Sequence, residues 1–136
     1  MPVVIGLLLA VAVAALAKVT QFDRDRSFYS TVLVIVASYY VLFAVMGNST
    51  HALVQETIVG LLFSVAAVFG AVRLPVLIGI GLVAHGLFDL VHPAIIPNPG
   101  VPSWWPVFCM SFDAVLGLWV IGLYRSRRYA LARGPH

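Results

Sequence analysis

Five runs of about twenty mostly apolar residues (2–17, 28–46, 52–72, 76–96 and 106–124) fill most of the chain. About twenty helical residues are what it takes to cross a hydrocarbon core of about 30 Å. A backbone in hydrocarbon must satisfy its own polar groups, and an α-helix does so within each segment. The expected fold is therefore all-α: a single transmembrane domain over 1–136, a polytopic bundle of five membrane-crossing helices with a basic tail at 125–136. Composition agrees. Hydrophobic residues make up 62% of the chain and charged residues 10%, against about 25% charged in soluble domains. A soluble domain of 136 residues buries too little of its surface to hide so much apolar material. The single Cys109 excludes an intrachain disulfide.

The net charge of +3 is informative through its placement. Lys18, Arg24 and Arg26 lie between the first two runs, Arg73 between the third and fourth, and Arg125, Arg127, Arg128 and Arg133 after the fifth. Connections 47–51 and 97–105 contain no Lys or Arg. All basic residues thus fall on one side of a five-span bundle. The positive-inside rule makes that side cytoplasmic, with the N-terminus outside and the C-terminus inside. The distribution points to anionic lipid headgroups as partners of the basic tail, and away from nucleic acid. The first run shares features with a secretory leader, ending in Ala15-Leu16-Ala17, but no Lys or Arg precedes it. Its small residues Gly6, Ala10, Ala14 and Ala17 form a stripe suited to close helix packing. It is read as a span; cleavage would leave four spans in the same orientation.

The fourth run carries His85, Asp89 and His92, whose helical offsets place them within roughly 60° of one another on one face. Ionisable groups inside a bilayer cost several kcal/mol unless paired, protonated, hydrated or metal-bound. The short connection at 73–75 makes the third and fourth helices antiparallel neighbours. Counted from Leu74, Glu56 and His92 are equidistant along the chain, both roughly 27 Å from the turn. Counted from Val101, Asp89 and Asp113 share a level on the order of 10 Å below the outer interface, with His85 a turn deeper. Tyr39, Tyr40, Cys109 and Ser111 come to similar depth. The acids and internal histidines of the spans therefore sit in the outer half, which suits a cavity opening outward and lacks the two-depth polar path of an ion or proton wire.

Pro93 deprives the Asp89 carbonyl of its helical partner, so the helix is expected to kink or end nearby. The following loop, with Pro97, Asn98, Pro99, Gly100, Pro102 and Pro106, is rigid and turn-rich. Trp104 and Trp105 suit an interfacial aromatic belt, and the same loop is placed to act as a lid over the cavity.

Two imidazoles and several carboxylates form a ligand set for zinc, iron or manganese, and helical bundles build such sites from inward-facing Glu, Asp and His. The expected metal ligands are His85, Asp89, His92 and Asp113, with divalent zinc or iron as the cofactor and Glu56 or Asp113 as the catalytic base. The competing reading is a hydrogen-bonded cluster that joins helices, although such bonds yield only about 0.6–2 kcal/mol each. His51 is read as a solvated or capping neighbour and Cys109 as a buried structural thiol. Tyr39 and Tyr40 suit belt, packing or site roles alike. The chain has no phosphate-binding Gly loop, C-x-x-C, G-x-S-x-G elbow or intramembrane Lys.

The stretch His85-Gly86-Leu87-Phe88-Asp89-Leu90-Val91-His92, followed by Asn98-Pro99-Gly100-Val101-Pro102-Ser103-Trp104-Trp105-Pro106-Val107-Phe108-Cys109 and Asp113, resembles a family of small uncharacterised bacterial polytopic membrane proteins. That resemblance covers the last third of the chain and implies a bacterial inner-membrane location without an assigned activity. More distantly, the outer-side His and Asp cluster is similar to ceramidase-like intramembrane hydrolases. Those have seven spans and a three-His zinc site with an H-x-x-x-H pair, where this chain has five spans and His85-x-x-x-Asp89. The expected function is a metal-dependent enzyme acting on a lipid-like substrate, a zinc hydrolase or an iron oxygenase. The alternatives are a metal- or small-ligand-binding or transport component, and a structural subunit of a membrane complex. Expected partners are membrane lipids, a lipid-like substrate and, because five helices shield a cavity poorly, a second copy of the chain.

Overall fold

The computed structural model describes residues 1–132, so Arg133 of the basic tail lies outside the described residues. Five helices make up the fold: α1 (Pro2–Thr20), α2 (Arg26–Met46), α3 (Thr50–Val72), α4 (Val76–Ile95) and α5 (Trp105–Ala132). Each contains a segment long and apolar enough to cross a membrane. A single 3-10 turn, Phe22–Arg24, joins α1 to α2. The helices outlast the apolar runs at several ends because polar caps start them. Asp25 accepts from the Ser27 amide ahead of α2, and Ser49 accepts from the Ala52 amide at 3.2 Å ahead of α3. Asp25 is outside the membrane-spanning segments, and the Ser27 amide holds its carboxyl below the ordinary value. Ser49→Ala is expected to lower stability by about 0.5–2 kcal/mol, readable as a fall in the thermal midpoint of purified protein.

Helix α5 runs on through Arg125 to Ala132, so the first part of the expected tail is helix. The physical reason is local: between Gly122 and Gly134 the sequence contains neither Gly nor Pro and is rich in good helix formers. Pro93 lies inside α4, which ends shortly after it at Ile95. Ile96 closes that end by donating its amide to the His92 carbonyl at 2.9 Å.

Helix α4 is the hub, in contact with α2, α3 and α5, while α1 packs on the far side of α5. In α2, α4 and α5 44% of the apolar segment is buried inside the bundle, against 22% in α1 and 17% in α3. The last two therefore turn most of their apolar surface outward. The buried residues of α1 are Gly6, Ala10, Ala14 and Ala17, the small-residue stripe, and at Gly6 an added Cβ would meet the Phe112 amide of α5 at 3.2 Å. Helices α4 and α5 also approach closely. A Cβ on Gly79 would lie 2.7 Å from the Gly117 carbonyl, and one on Gly117 would lie 2.7 Å from the Gly79 carbonyl. Without a hydrophobic drive between helices in lipid, such small-residue approach is what lets backbones pack.

The two ends of the bundle differ. Arg24, Arg26, Arg73, Arg125 and Arg127 gather at one end, and Arg127 pairs there with Asp23 at 3.1 Å. The opposite end carries the 47–49 turn and the 96–104 loop, which press together at Gly47 and Gly100; a Cβ on Gly47 would sit 3.0 Å from the Gly100 Cα. Asn48 takes the left-handed region (φ 53°) in that turn, a conformation Asn tolerates better than most residues.

Candidate metal centre

Helices α4 and α5 supply the centre. A spacing of four residues brings His85 and Asp89 to one face of α4, and Cys109 and Asp113 to one face of α5. Gly86 lets the two faces close: an added Cβ there would lie 3.1 Å from the Met110 carbonyl and 3.2 Å from the Asp113 Cβ. As a result, one donor atom from each of His85, Asp89, Cys109 and Asp113 lies within 4.8 Å of all the others. None of the four side chains is more than 1% exposed.

Within this group His85 Nδ1 is 2.7 Å from Asp113 Oδ2 and 3.5 Å from Asp89 Oδ2. The Cys109 thiol donates to Asp113 Oδ2 at 3.5 Å. A tetrahedral zinc with ordinary bond lengths holds its donors about 3.3–3.8 Å apart. The two 3.5 Å contacts are of that size, and the group as a whole, spread over up to 4.8 Å, would draw in around a cation. The short His85–Asp113 contact is a hydrogen bond that a cation would open by about 0.7 Å. Meanwhile Asp89 Oδ2 and Asp113 Oδ1 are buried without a hydrogen-bond partner. Partnerless carboxylate oxygens in an apolar interior are costly, and a cation coordinated by these carboxylates would lower that cost.

Around the four donors is a supporting network. The Tyr40 hydroxyl of α2 donates to Asp89 Oδ1 at 2.6 Å, which orients that carboxylate so that its free oxygen faces His85. The Tyr40 ring lies 4.1 Å, centroid to centroid, from the ring of His92. His92 Nε2 is 2.7 Å from Glu56 Oε1 of α3. Asn98 of the loop donates from one nitrogen to Glu56 Oε1 at 2.9 Å and to the Tyr40 carbonyl at 3.0 Å. A cavity of about 490 Å³ lies on this side, lined by His92, Pro93, Asn98, Pro99 and Pro106 among others.

The count from Leu74 meets the structure, since Glu56 touches His92. The count from Val101 does not, because Asp113 lies beside Gly86 and His85, deeper than Asp89, the helix ends at Ile95 and Trp105 not being symmetric about Val101. Of the ligands expected from sequence, His85, Asp89 and Asp113 come together. His92 lies outside that group and faces Glu56, with its Nδ1 buried and partnerless. Cys109, read as a structural thiol, stands among the donors; its i, i+4 spacing to Asp113 was the available signal. Asn98 was missed, because nothing in a loop sequence reveals which side chain turns inward. Tyr40 is buried against Asp89, whereas Tyr39 is partly exposed and packs on Trp105 at 4.9 Å. His51 is exposed in the first turn of α3. No protein-family model, curated protein or solved structure matches this chain.

Proposed function

We propose that the chain is a multi-pass protein of a bacterial inner membrane that binds a transition metal ion, zinc or iron, through His85, Asp89, Cys109 and Asp113. The basic end faces the cytoplasm and the metal centre lies in the outer half of the bilayer. The observation that carries metal binding is the convergence of four nitrogen, sulfur and oxygen donors, two of whose carboxylates keep a buried oxygen without a partner. Mixed imidazole, thiolate and carboxylate donors in a buried site suit zinc or iron better than magnesium or calcium, which take oxygen donors alone.

Four protein ligands make a closed site, and turnover requires an open position. Asp89 is the ligand that supplies it, because Tyr40 offers its carboxylate an alternative partner. With water in place of Asp89, the metal would act as a Lewis acid on an ester or amide of a lipid-like substrate. In this reading Glu56, hydrogen-bonded to His92 at the edge of the loop-side cavity, is the general base.

The test is metal content by mass spectrometry on protein purified without chelators. Wild type is expected to carry near-stoichiometric metal, His85→Ala to lose it, and His92→Ala to retain it. Metal absent from wild type, or lost equally in both variants, overturns the four-donor assignment.

A further inference from the structure

We propose a second binding site at the opposite end of α4, for the phosphate headgroup of an anionic phospholipid. A cavity of about 620 Å³ there is walled by Arg24, Arg26, Arg73, Arg125 and Arg127 together with Tyr124. These arginines come from three separate places in the chain, and the fold brings them to one concavity. Their charge is partly compensated: among the described residues, Asp23 pairs with Arg127 and Asp25 lies between Arg24 and Arg26, which leaves an excess of positive charge on this face. The Asp23 pair also fixes Arg127. Arg127 also donates to the Asp23 carbonyl at 2.9 Å, and its guanidinium stands 5.9 Å from the centre of the Tyr124 ring. Arg127 is thereby fixed along one wall, while Arg24, Arg26, Arg73 and Arg125 remain exposed.

Tyr124 of α5 lines the same cavity. It is 6% exposed, and its hydroxyl is buried without a hydrogen-bond partner. A buried hydroxyl beside guanidinium groups, lacking an acceptor, matches an anion with several acceptor oxygens. Arginine forks recognise phosphate oxygens in pairs, which makes phosphate the best-matched anion. The lipid source follows from the remaining wall. Leu74, Val76 and Ile80 continue the cavity along the outer surface of α4, and Leu74 and Ile80 are 40% and 47% exposed. The headgroup would sit among the arginines and an acyl chain along α4, as in other basic pockets between membrane helices.

The test is native mass spectrometry of the full chain in mild detergent, titrated separately with dioctanoyl phosphatidylglycerol, dioctanoyl phosphatidylcholine and inorganic phosphate. Wild type is expected to bind the glycerol lipid at least about tenfold more tightly than the choline lipid, and inorganic phosphate should displace it only weakly. The variant Arg24→Gln/Arg73→Gln/Arg125→Gln is expected to lose about 100-fold in affinity for the anionic lipid. The control Lys18→Gln removes a positive charge that is not part of the cavity wall and should lose less than about threefold. Tyr124→Phe should lose a few-fold, on the order of one hydrogen bond to an anion. A loss in Lys18→Gln as large as that in Arg73→Gln alone would reduce the feature to general attraction and overturn the site. Equal binding of the two lipids by wild type would do the same without relying on any variant. Displacement by inorganic phosphate at equal concentration would overturn the lipid assignment in favour of a soluble phosphate.

Discussion

Asp113→Asn is expected to abolish metal binding while leaving the five-helix bundle intact. The amide keeps the size of the carboxylate and an oxygen that accepts from His85, so the 2.7 Å contact survives in metal-free protein. What it loses is the negative charge that a divalent cation needs in a buried site. Affinity should fall by more than about 100-fold, since loss of a merely supporting group already costs 10–100-fold. The readout is thermal. Metal at about a hundred times its Kd stabilises wild type by about 2.7 kcal/mol, and the variant should show no such shift. The same substitution separates metal binding from simple helix joining, because a structural hydrogen bond tolerates Asn. A variant that keeps the metal-dependent shift, or a wild type that lacks one, removes Asp113 from the centre.

The second large effect is expected far from any ligand. Gly79→Ala places a Cβ 2.7 Å from the Gly117 carbonyl, 2.7 Å from Ile121 Cγ1 and 2.8 Å from the Ile121 amide. Two of those neighbours are backbone, which cannot rotate away, so α4 and α5 must move apart. The cost is about 1–3 kcal/mol. Because α4 carries His85 and Asp89 while α5 carries Cys109 and Asp113, the displacement reaches the metal centre, and affinity for metal should fall together with stability. Gly122→Ala on the same α5 is the matched control, since an added Cβ there meets nothing within 4 Å; it should be neutral or slightly stabilising. Equal stability and metal affinity in Gly79→Ala and wild type would show that the α4–α5 approach is looser than the backbone contacts imply.

Helix number, helix class and the gathering of charge at one end were legible in the sequence because each rests on a strong, local term. The cost of an unsatisfied backbone in hydrocarbon makes every long apolar run a helix, and short connections force antiparallel neighbours. With the rise per residue constant, counting from the tight 73–75 turn was enough to level Glu56 with His92, whereas the same count across the longer 96–104 loop set Asp113 level with Asp89 when it lies beside Gly86. The stripe of Gly6, Ala10, Ala14 and Ala17 likewise announced its own packing face. Rotation about the helix axes was not legible. Whether His92 turns toward His85 or toward Glu56, and whether Cys109 joins Asp113, depends on a few tens of degrees that no one-dimensional pattern encodes. Those angles are set where Gly79, Gly86 and Gly117 let two backbones touch, and by the hydroxyl of Tyr40 and the amide of Asn98 arriving from α2 and the loop. The sequence by itself thus determined which residues reach each depth, through helical rise and the cost of polar groups in lipid. Only the tertiary structure decided which of them meet, because that is settled by interhelical contact distances between segments far apart in the chain.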